Sequence, residues 1–235
     1  MPHRDSNRVV WIMRKPRSLG NFSIETSYHT MQNAWPENHP RPHMHTASRF
    51  TSGILQRIGI WREVRSLGFP LVHITGDIHF AAIGLRHKPV ILTIHDLGML
   101  DEGNRIKRML KQLFWLTLPL RSCDHLIAVS QRTKEDIHRR SGYPLDNISV
   151  IPSVISPTFR RRGVQPNQPK PRILHIGLAD NKNLSGHADA LSGLNVHLRI
   201  IGEPSPDQHS MLRSYGIDYS TCLLYTSDAA DETCR

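Results

Sequence analysis

A chain of 235 residues has room for one large domain or two small ones, and 38% apolar with 21% charged residues is the composition of a soluble globular protein. No apolar run reaches the roughly 18 residues that a membrane-spanning helix needs. Residues 1–15 show no apolar core or small-residue cleavage site, so no secretory signal is expected. Three cysteines lack metal-ligand spacing and are too few for a disulfide framework, which suits a reducing cytoplasm. The net charge of +10 points to anionic partners, with phosphates, nucleic acid and acidic lipid all open.

In chain order, residues 9–13 (VVWIM) read as a short strand, and turn chemistry follows in RKPRSLGN. A weak helical pattern covers 22–31. The stretch 39–45 is rich in Pro and His and reads as irregular. There His39, His43 and His45 find no carboxylate or cysteine to complete a tetrahedral set, so no metal is expected. Residues 54–67 place Ile54, Leu55, Ile58, Trp61, Val64 and Leu67 at helical spacing, with Gly68 as the stop. A short strand at 71–74 runs into Thr75-Gly76-Asp77. The run 90–94 (VILTI), between Pro89 and His95-Asp96, has the pattern of a buried parallel strand. Residues 105–120 predict one long helix, covering a sheet with Leu110, Phe114, Trp115 and Leu116 and turning its basic side to water. The same basic amphipathic pattern also suits contact with an anionic membrane.

Residues 126–129 form the next strand, Ser130 is placed as the N-cap of a helix over 133–140, and Gly142 follows it. A strand at 148–151 closes the first block. Residues 153–170 are dense in Pro, Gly, Lys and Arg and read as a linker. A second block then begins, with strands at 172–176 and 196–201 and helices at 184–191 and 207–215. Residues 222–235 (CLLYTSDAADETCR) break the alternation and read as a translated transposon-based sequencing adapter, so natural sequence is expected to end near Thr221. The expected organisation is a domain over 1–152, a linker over 153–170, a second domain over 171–221 and a non-native tail over 222–235. Alternating strands and helices imply right-handed βαβ units and parallel sheets. The fold class is therefore α/β, with one complete Rossmann-like domain and the first βα units of a second. Residues 171–221 fall well short of the roughly 100–150 of a full doubly wound domain.

Ligands of open parallel sheets bind at the carboxyl ends of the strands. Those ends offer Gly20 and Asn21 after the first strand, Asp77 and His79 after the second, His95 after the third, and Gly177, Lys182 and Asn183 after the first strand of the second block. Lys182 before a helix can neutralise a diphosphate, or it is a surface lysine with Asn183 as helix cap. Gly20 and Gly177 let backbone approach a phosphate or sugar, or they form ordinary turns. His95 can position a substrate or carry a proton, or it bonds the backbone at a strand end.

Together these segments resemble the family-4 retaining glycosyltransferases of the GT-B fold. The resemblance is carried by the Gly20 loop, HITGDIHF (73–80), VILTIHDLG (90–98), DHLIAVSQRTKEDI (124–137), ISVIPSVI (148–155), RILHIGLADNKNL (172–184) and LRIIG (198–202). It implies an acceptor-binding N-terminal domain, a donor-binding C-terminal domain, and sugar transfer from a nucleotide-sugar to a glycan or lipid-linked acceptor without bound metal or cofactor. It implies His95 as the catalytic-site residue near the transferred sugar. Gly20, Gly177, Lys182 and Asn183 are implied on the donor side, and Asn21, Asp77 and His79 on the acceptor side. Asp180-Asn181 stand where the family often has an arginine. The family's Glu-x7-Glu element would lie beyond this sequence, so the fragment alone is expected to lack half the donor site. The implied setting is cytoplasmic, with peripheral contact on the inner face of the plasma membrane as an added option. Other readings are a non-catalytic GT-B-like partner protein, a sugar-nucleotide epimerase and a basic nucleic-acid-binding protein. Against the last, the basic residues are spread along the chain and no nucleic-acid-binding motif occurs, so no nucleic-acid partner is expected.

Overall fold

The structure is a computed structural model that describes residues 9–16, 23–157, 159 and 170–222. The chain divides into two units, Met1–Arg160 and Arg161–Arg235.

In the first unit, β1 (Val9–Met13), β2 (His43–Thr46), β3 (Leu71–Ile74), β4 (Val90–Ile94), β5 (His125–Ala128) and β6 (Ile148–Val150) form a six-stranded sheet in the order 2-1-3-4-5-6. Every adjacent pair is parallel. Side chains alternate across a strand, and that alternation divides the core. Val10, Ile12, Val72, Ile74, Val90, Leu92, Ile94, Leu126 and Ala128 point to one face, where α2 (Ile54–Ser66), a 3₁₀ turn (His79–Ala82) and α5 (Gln131–Ser141) cover them. Trp11 and Met13 point to the other face and pack on Tyr28 of α1 (Ser23–Asn33). Ser130 caps α5 by accepting from the Thr133 amide, and Gly142 ends it in the left-handed conformation, as the sequence predicts.

Two elements differ from the sequence expectation. Residues 43–46 are a strand, not irregular chain: β2 pairs with β1 from Val10↔His43 to Met13↔Thr46. Its backbone completes the otherwise open edge of β1, and that pairing outweighs a weak local propensity. His43 stacks on Phe69 and His45 bonds Glu63, so these histidines have structural partners. Among the described residues no group of three or more His, Cys, Asp or Glu gathers into a metal site.

The long helix predicted over 105–120 is broken in its geometry. It runs as α3 (Arg105–Lys111), a π-helical segment (Gln112–Thr117) and α4 (Leu118–Leu120). Pro119 has no amide hydrogen to donate to the carbonyl four residues back, which is that of Trp115. The π segment accommodates the break, and His79 Nδ1–H donates to the Trp115 carbonyl at 2.9 Å in place of the missing partner. Trp115, Leu116 and Leu120 are buried, but α3 buries no residue at all. Its apolar side chains do not cover the sheet.

In the second unit, β7 (Arg172–Ile176), β8 (His197–Ile201) and β9 (Tyr219–Cys222) form a parallel sheet in the order 7-8-9. Leu198, Ile200, Leu184 and Ala188 of α6 (Leu184–Leu191) and Leu212 of α7 (Pro206–Ser214) make its core. A reciprocal capping box between Ser205 and Gln208 starts α7. Cys222, grouped with the foreign tail on sequence grounds, pairs with Ile201 as the last residue of β9. Residues 223–235 lie outside the described residues.

Leu92 is fully buried in the centre of β4. Leu92→Ala should cost about 2–5 kcal/mol in urea unfolding. A loss below about 1 kcal/mol, the scale of an exposed site, would contradict this placement.

Candidate functional site

The strand order places β1 between β2 and β3, so the chain leaves β1 in one direction and the sheet continues in the other. Such a switch point opens a crevice at the carboxyl ends of the two strands. Arg14 follows β1 there and is buried. Its Nε donates to Glu25 Oε1 of α1 at 2.7 Å, and its guanidinium also pairs with Asp77, which follows β3. Burial pushes the Arg14 pKa down, but the Glu25 and Asp77 carboxylates outweigh it and the net shift is upward. Asp77 sits at φ +56° and Gly76 at φ +136°. The ion network thus holds the loop after β3 in a backbone conformation that side chains rarely adopt.

That loop seats His95. The ring Nε2–H donates to the Thr75 carbonyl at 2.9 Å. With the neutral ring's proton there, Nδ1 is left as a hydrogen-bond acceptor. The ring lies against Gly76 so closely that an added Cβ would stand 2.6 Å from His95 Cδ2. The His95 carbonyl accepts from Thr133 Oγ1 at 3.3 Å, which ties it to the start of α5.

Beneath His95 the sheet face carries a cavity of about 340 Å³, lined by Trp11, Tyr28, Trp35, His73, Thr93 and His95 among others. Tyr28 donates to Thr93 Oγ1 at 3.0 Å, and His73 Nε2 shares a hydrogen bond with the same oxygen at 2.8 Å. Burial, with a smaller contribution from His95, pushes the His73 pKa down to about 4. Burial pushes the Tyr28 pKa up to about 12. Both groups are therefore neutral at pH 7.

The other sequence candidates in this unit divide. Asp77 is at the crevice, engaged with Arg14. His79 is buried, and its Nδ1–H is committed to the Trp115 carbonyl. Burial lowers its pKa, so the ring is held neutral. Ser130 is the N-cap of α5. Gly20 and Asn21 lie outside the described residues. Sequence reasoning missed Arg14, Glu25, Gly76 and His73. The available signals were an arginine directly after a buried strand and a glycine two residues after another.

In the second unit, Gly177 follows β7 at φ +81°, and its amide donates to the Ile201 carbonyl at 3.0 Å. The Lys182 side chain folds over it, 3.5 Å from where a Gly177 Cβ would stand. Lys182 closes a 3₁₀ turn (Asp180–Lys182), and its ammonium makes no ion pair with any described residue. Asn183 is the N-cap of α6, in the left-handed conformation, with Oδ1 accepting from the Gly186 amide at 3.3 Å. Gly177, Lys182 and Asn183 are thus brought together where β7 turns into α6. Nearby, His175 is buried against His187, with their Nδ1 atoms 3.0 Å apart. Burial, then His187 and Lys182, lower the His175 pKa.

His73 carries a pH-dependent stability. Its pKa of about 4 in the folded chain lies below the ordinary 6.5, so the unfolded chain takes up the proton first as pH falls. The contribution is complete above pH 6.5 and is lost as pH falls toward 4, by about 3 kcal/mol. His73→Gln should flatten that part of the urea-stability profile; a profile identical to that of the unsubstituted protein would refute the assignment. Gly76→Ala should destabilise by about 1–3 kcal/mol and shift the His95 ring resonances in NMR spectra, since the ring or the loop must move. Unmoved resonances would show that the close approach is absent.

No curated protein matches the sequence. Among solved structures, Anabaena HepE in complex with UDP and glucose superposes with a TM-score of 0.61 at 11% identity, over 92% of this chain and 69% of that one. HepE in complex with UDP gives a TM-score of 0.62 at 11% identity, over 94% and 70%. AviGT4, a glycosyltransferase involved in avilamycin A biosynthesis, gives 0.50 at 15% identity, over 92% and 63%. These likenesses bear on the fold and agree with an α/β, GT-B-like chain. The family profile described as Glycosyltransferase Family 4 matches residues 8–159, which include the whole crevice around Arg14, Asp77 and His95. The chain belongs to Glycosyltransferase Family 4.

Proposed function

We propose that the parent protein is a retaining glycosyltransferase that moves a sugar from a nucleotide-sugar to a glycan or lipid-linked acceptor. The observation that carries this reading is the crevice at the β1/β3 switch point, where His95 presents an acceptor nitrogen beside the loop that Arg14 and Asp77 hold. Family membership and the UDP and glucose bound by HepE support a nucleotide-sugar donor. In this reading Gly177 and Lys182 receive the donor diphosphate, Asn183 fixes the turn that presents Lys182, and Gly20 is a further donor-side residue. Asn21, Asp77 and His79 are the acceptor-side residues of this reading. No metal or cofactor takes part; the nucleotide-sugar is a substrate.

The proposed chemistry is the same-face transfer that the family resemblance implies. The bond between the sugar's anomeric carbon and the diphosphate oxygen breaks, and the bond to the acceptor oxygen forms on the same face. The acceptor's proton passes to the departing phosphate oxygen. Lys182 stabilises the negative charge that develops on the diphosphate. His95 orients the sugar by accepting a hydroxyl hydrogen bond at Nδ1. The setting is cytoplasmic, with peripheral contact between the basic 105–120 segment and an anionic membrane.

Release of free nucleoside diphosphate across a panel of nucleotide-sugars tests the class. In the parent enzyme, Lys182→Ala should lower donor-dependent kcat/KM by about 10²–10³-fold, the scale of losing one charge-stabilising group. His95→Ala should lower kcat by roughly 10²-fold through lost orientation. Unchanged kinetics in either variant would reject its assigned role, and release from no nucleotide-sugar would reject the class.

A further inference from the structure

Strand register gathers a group of polar side chains on the outward face of the second sheet. Side chains alternate along a strand, so His197 and Arg199 of β8 point away from the core that Leu198 and Ile200 enter. Ser220 of β9 stands opposite Arg199 in the parallel register, and Asp218 precedes it by two residues. His197 bonds both of them. Its Nδ1 lies 3.2 Å from Asp218 Oδ1, and its Nε2 lies 2.8 Å from Ser220 Oγ. Arg199 Nη1 donates to the same Ser220 oxygen at 3.0 Å. Lys170 donates to the other Asp218 oxygen at 2.9 Å. The His197 and Asp218 side chains are 25% and 48% exposed, so a small solute can reach the group.

The first sheet supplies a comparison. There His125 Nε2 and Ser149 Oγ are also 2.8 Å apart, across the same offset of two parallel strands. Ile127 takes the place of Arg199, and Asn147 takes the place of Asp218. A His–Ser bond across two strands is thus an ordinary contact of this chain. The second sheet adds a carboxylate on the ring's Nδ1 and a guanidinium on the serine oxygen. Lys170, and then His197, hold the Asp218 carboxyl below its ordinary pKa, so it is ionised at neutral pH. A neutral imidazole that donates Nδ1–H to a carboxylate presents Nε2 as a base. A serine hydroxyl that donates to such a nitrogen is an activated nucleophile. Leu174 of β7 pairs in register with Arg199, and both Leu174 and Ile176 are exposed on this face. They offer apolar contact to a bound group.

We propose that Ser220, His197 and Asp218 form a second, ester-cleaving site that takes carboxylic esters with a small apolar acyl group. The Ser220 oxygen bonds the ester's carbonyl carbon while its proton passes to His197 Nε2. His197 returns that proton to the departing alcohol as the ester carbon–oxygen bond breaks. Water, deprotonated by His197 in the same way, then releases the acid and restores Ser220. Arg199, already on the serine oxygen, faces the negative charge that develops on the carbonyl oxygen. Asp218 positions the ring and stabilises its protonated form. His197 and Asp218 stand at the amino ends of β8 and β9, whereas Gly177 and Lys182 lie beyond the carboxyl end of β7. The activity therefore does not rest on the glycosyltransferase reading, and either can fail alone.

The test treats the full chain with phenylmethanesulfonyl fluoride, followed by peptide mass spectrometry, and separately with p-nitrophenyl butyrate. Ser220 should carry the sulfonyl group, and p-nitrophenol should be released. Ser220→Ala should abolish that labelling and slow ester cleavage at least about tenfold. Asp218→Asn should lower kcat at least about tenfold with KM unchanged, because it removes the partner that orients the base and not a contact with the ester. Ser149→Ala, which alters the pair that lacks the carboxylate and guanidinium, should leave both readouts as they are. Labelling of the unsubstituted chain needs no variant, so the proposal can fail even where a substitution prevents folding. It is overturned by the absence of sulfonate on Ser220, by equal labelling of Ser149 and Ser220, or by ester cleavage that Ser220→Ala does not slow. An unchanged kcat in Asp218→Asn overturns the role given to the carboxylate.

Discussion

The guanidinium of Arg14 is the interaction on which the site depends. It is buried at the end of β1 and reaches Glu25 on α1 and Asp77 beyond β3. Those partners lie on opposite sides of the point where the chain reverses direction through the sheet. A buried cation must be paired, and removing one partner of such a pair costs about 3–5 kcal/mol. The network therefore holds α1 against the loop after β3. It also keeps Asp77 at positive φ, and with it the Gly76 backbone that lies flat against His95. Hydrophobic burial assembles the sheet, but a charge pair fixes how its crevice is shaped.

A second dependence runs through Pro119. A proline one turn after Trp115 leaves a carbonyl without its helical donor, and His79 supplies one from the opposite element. The same proline accompanies a π-helical segment that separates the buried part of the 105–120 region from the exposed α3. The chain thus uses one stretch for two purposes: Trp115, Leu116 and Leu120 close the core, while Ile106 and Met109 remain on the surface beside α2. Helical periodicity could not separate these, because it marks an apolar stripe without saying what covers it.

Much of the fold was legible because its strands are short runs of apolar and β-branched residues ended by polar or glycine positions. Val90–Ile94 and Arg172–Ile176 are where the pattern places them, and Ser130 caps α5 as its position before the helix suggests. β2 was illegible because His43–Thr46 has no strand pattern; only the open edge of β1 makes it one. In the candidate site, His95 was singled out because it follows a strand, and Lys182 because it precedes a helix after a strand that runs into glycine. Arg14, Glu25 and Asp77 could not be grouped, since 63 residues separate the first from the last. Asn183 turned out to cap α6, the alternative its position before a helix already offered.

By itself the sequence determined the alternation of strands and helices, the two-block division, and the set of polar residues at strand ends. These follow from local periodicity and turn chemistry, which one stretch of chain carries alone. Tertiary structure decided the strand order that makes the β1/β3 crevice and the pairing of Arg14 across it. It also decided the donor that His79 gives to Trp115 and the exposure of the α2–α3 face. Each of these depends on which groups from distant segments are desolvated together, and that is settled only when the sheet is built.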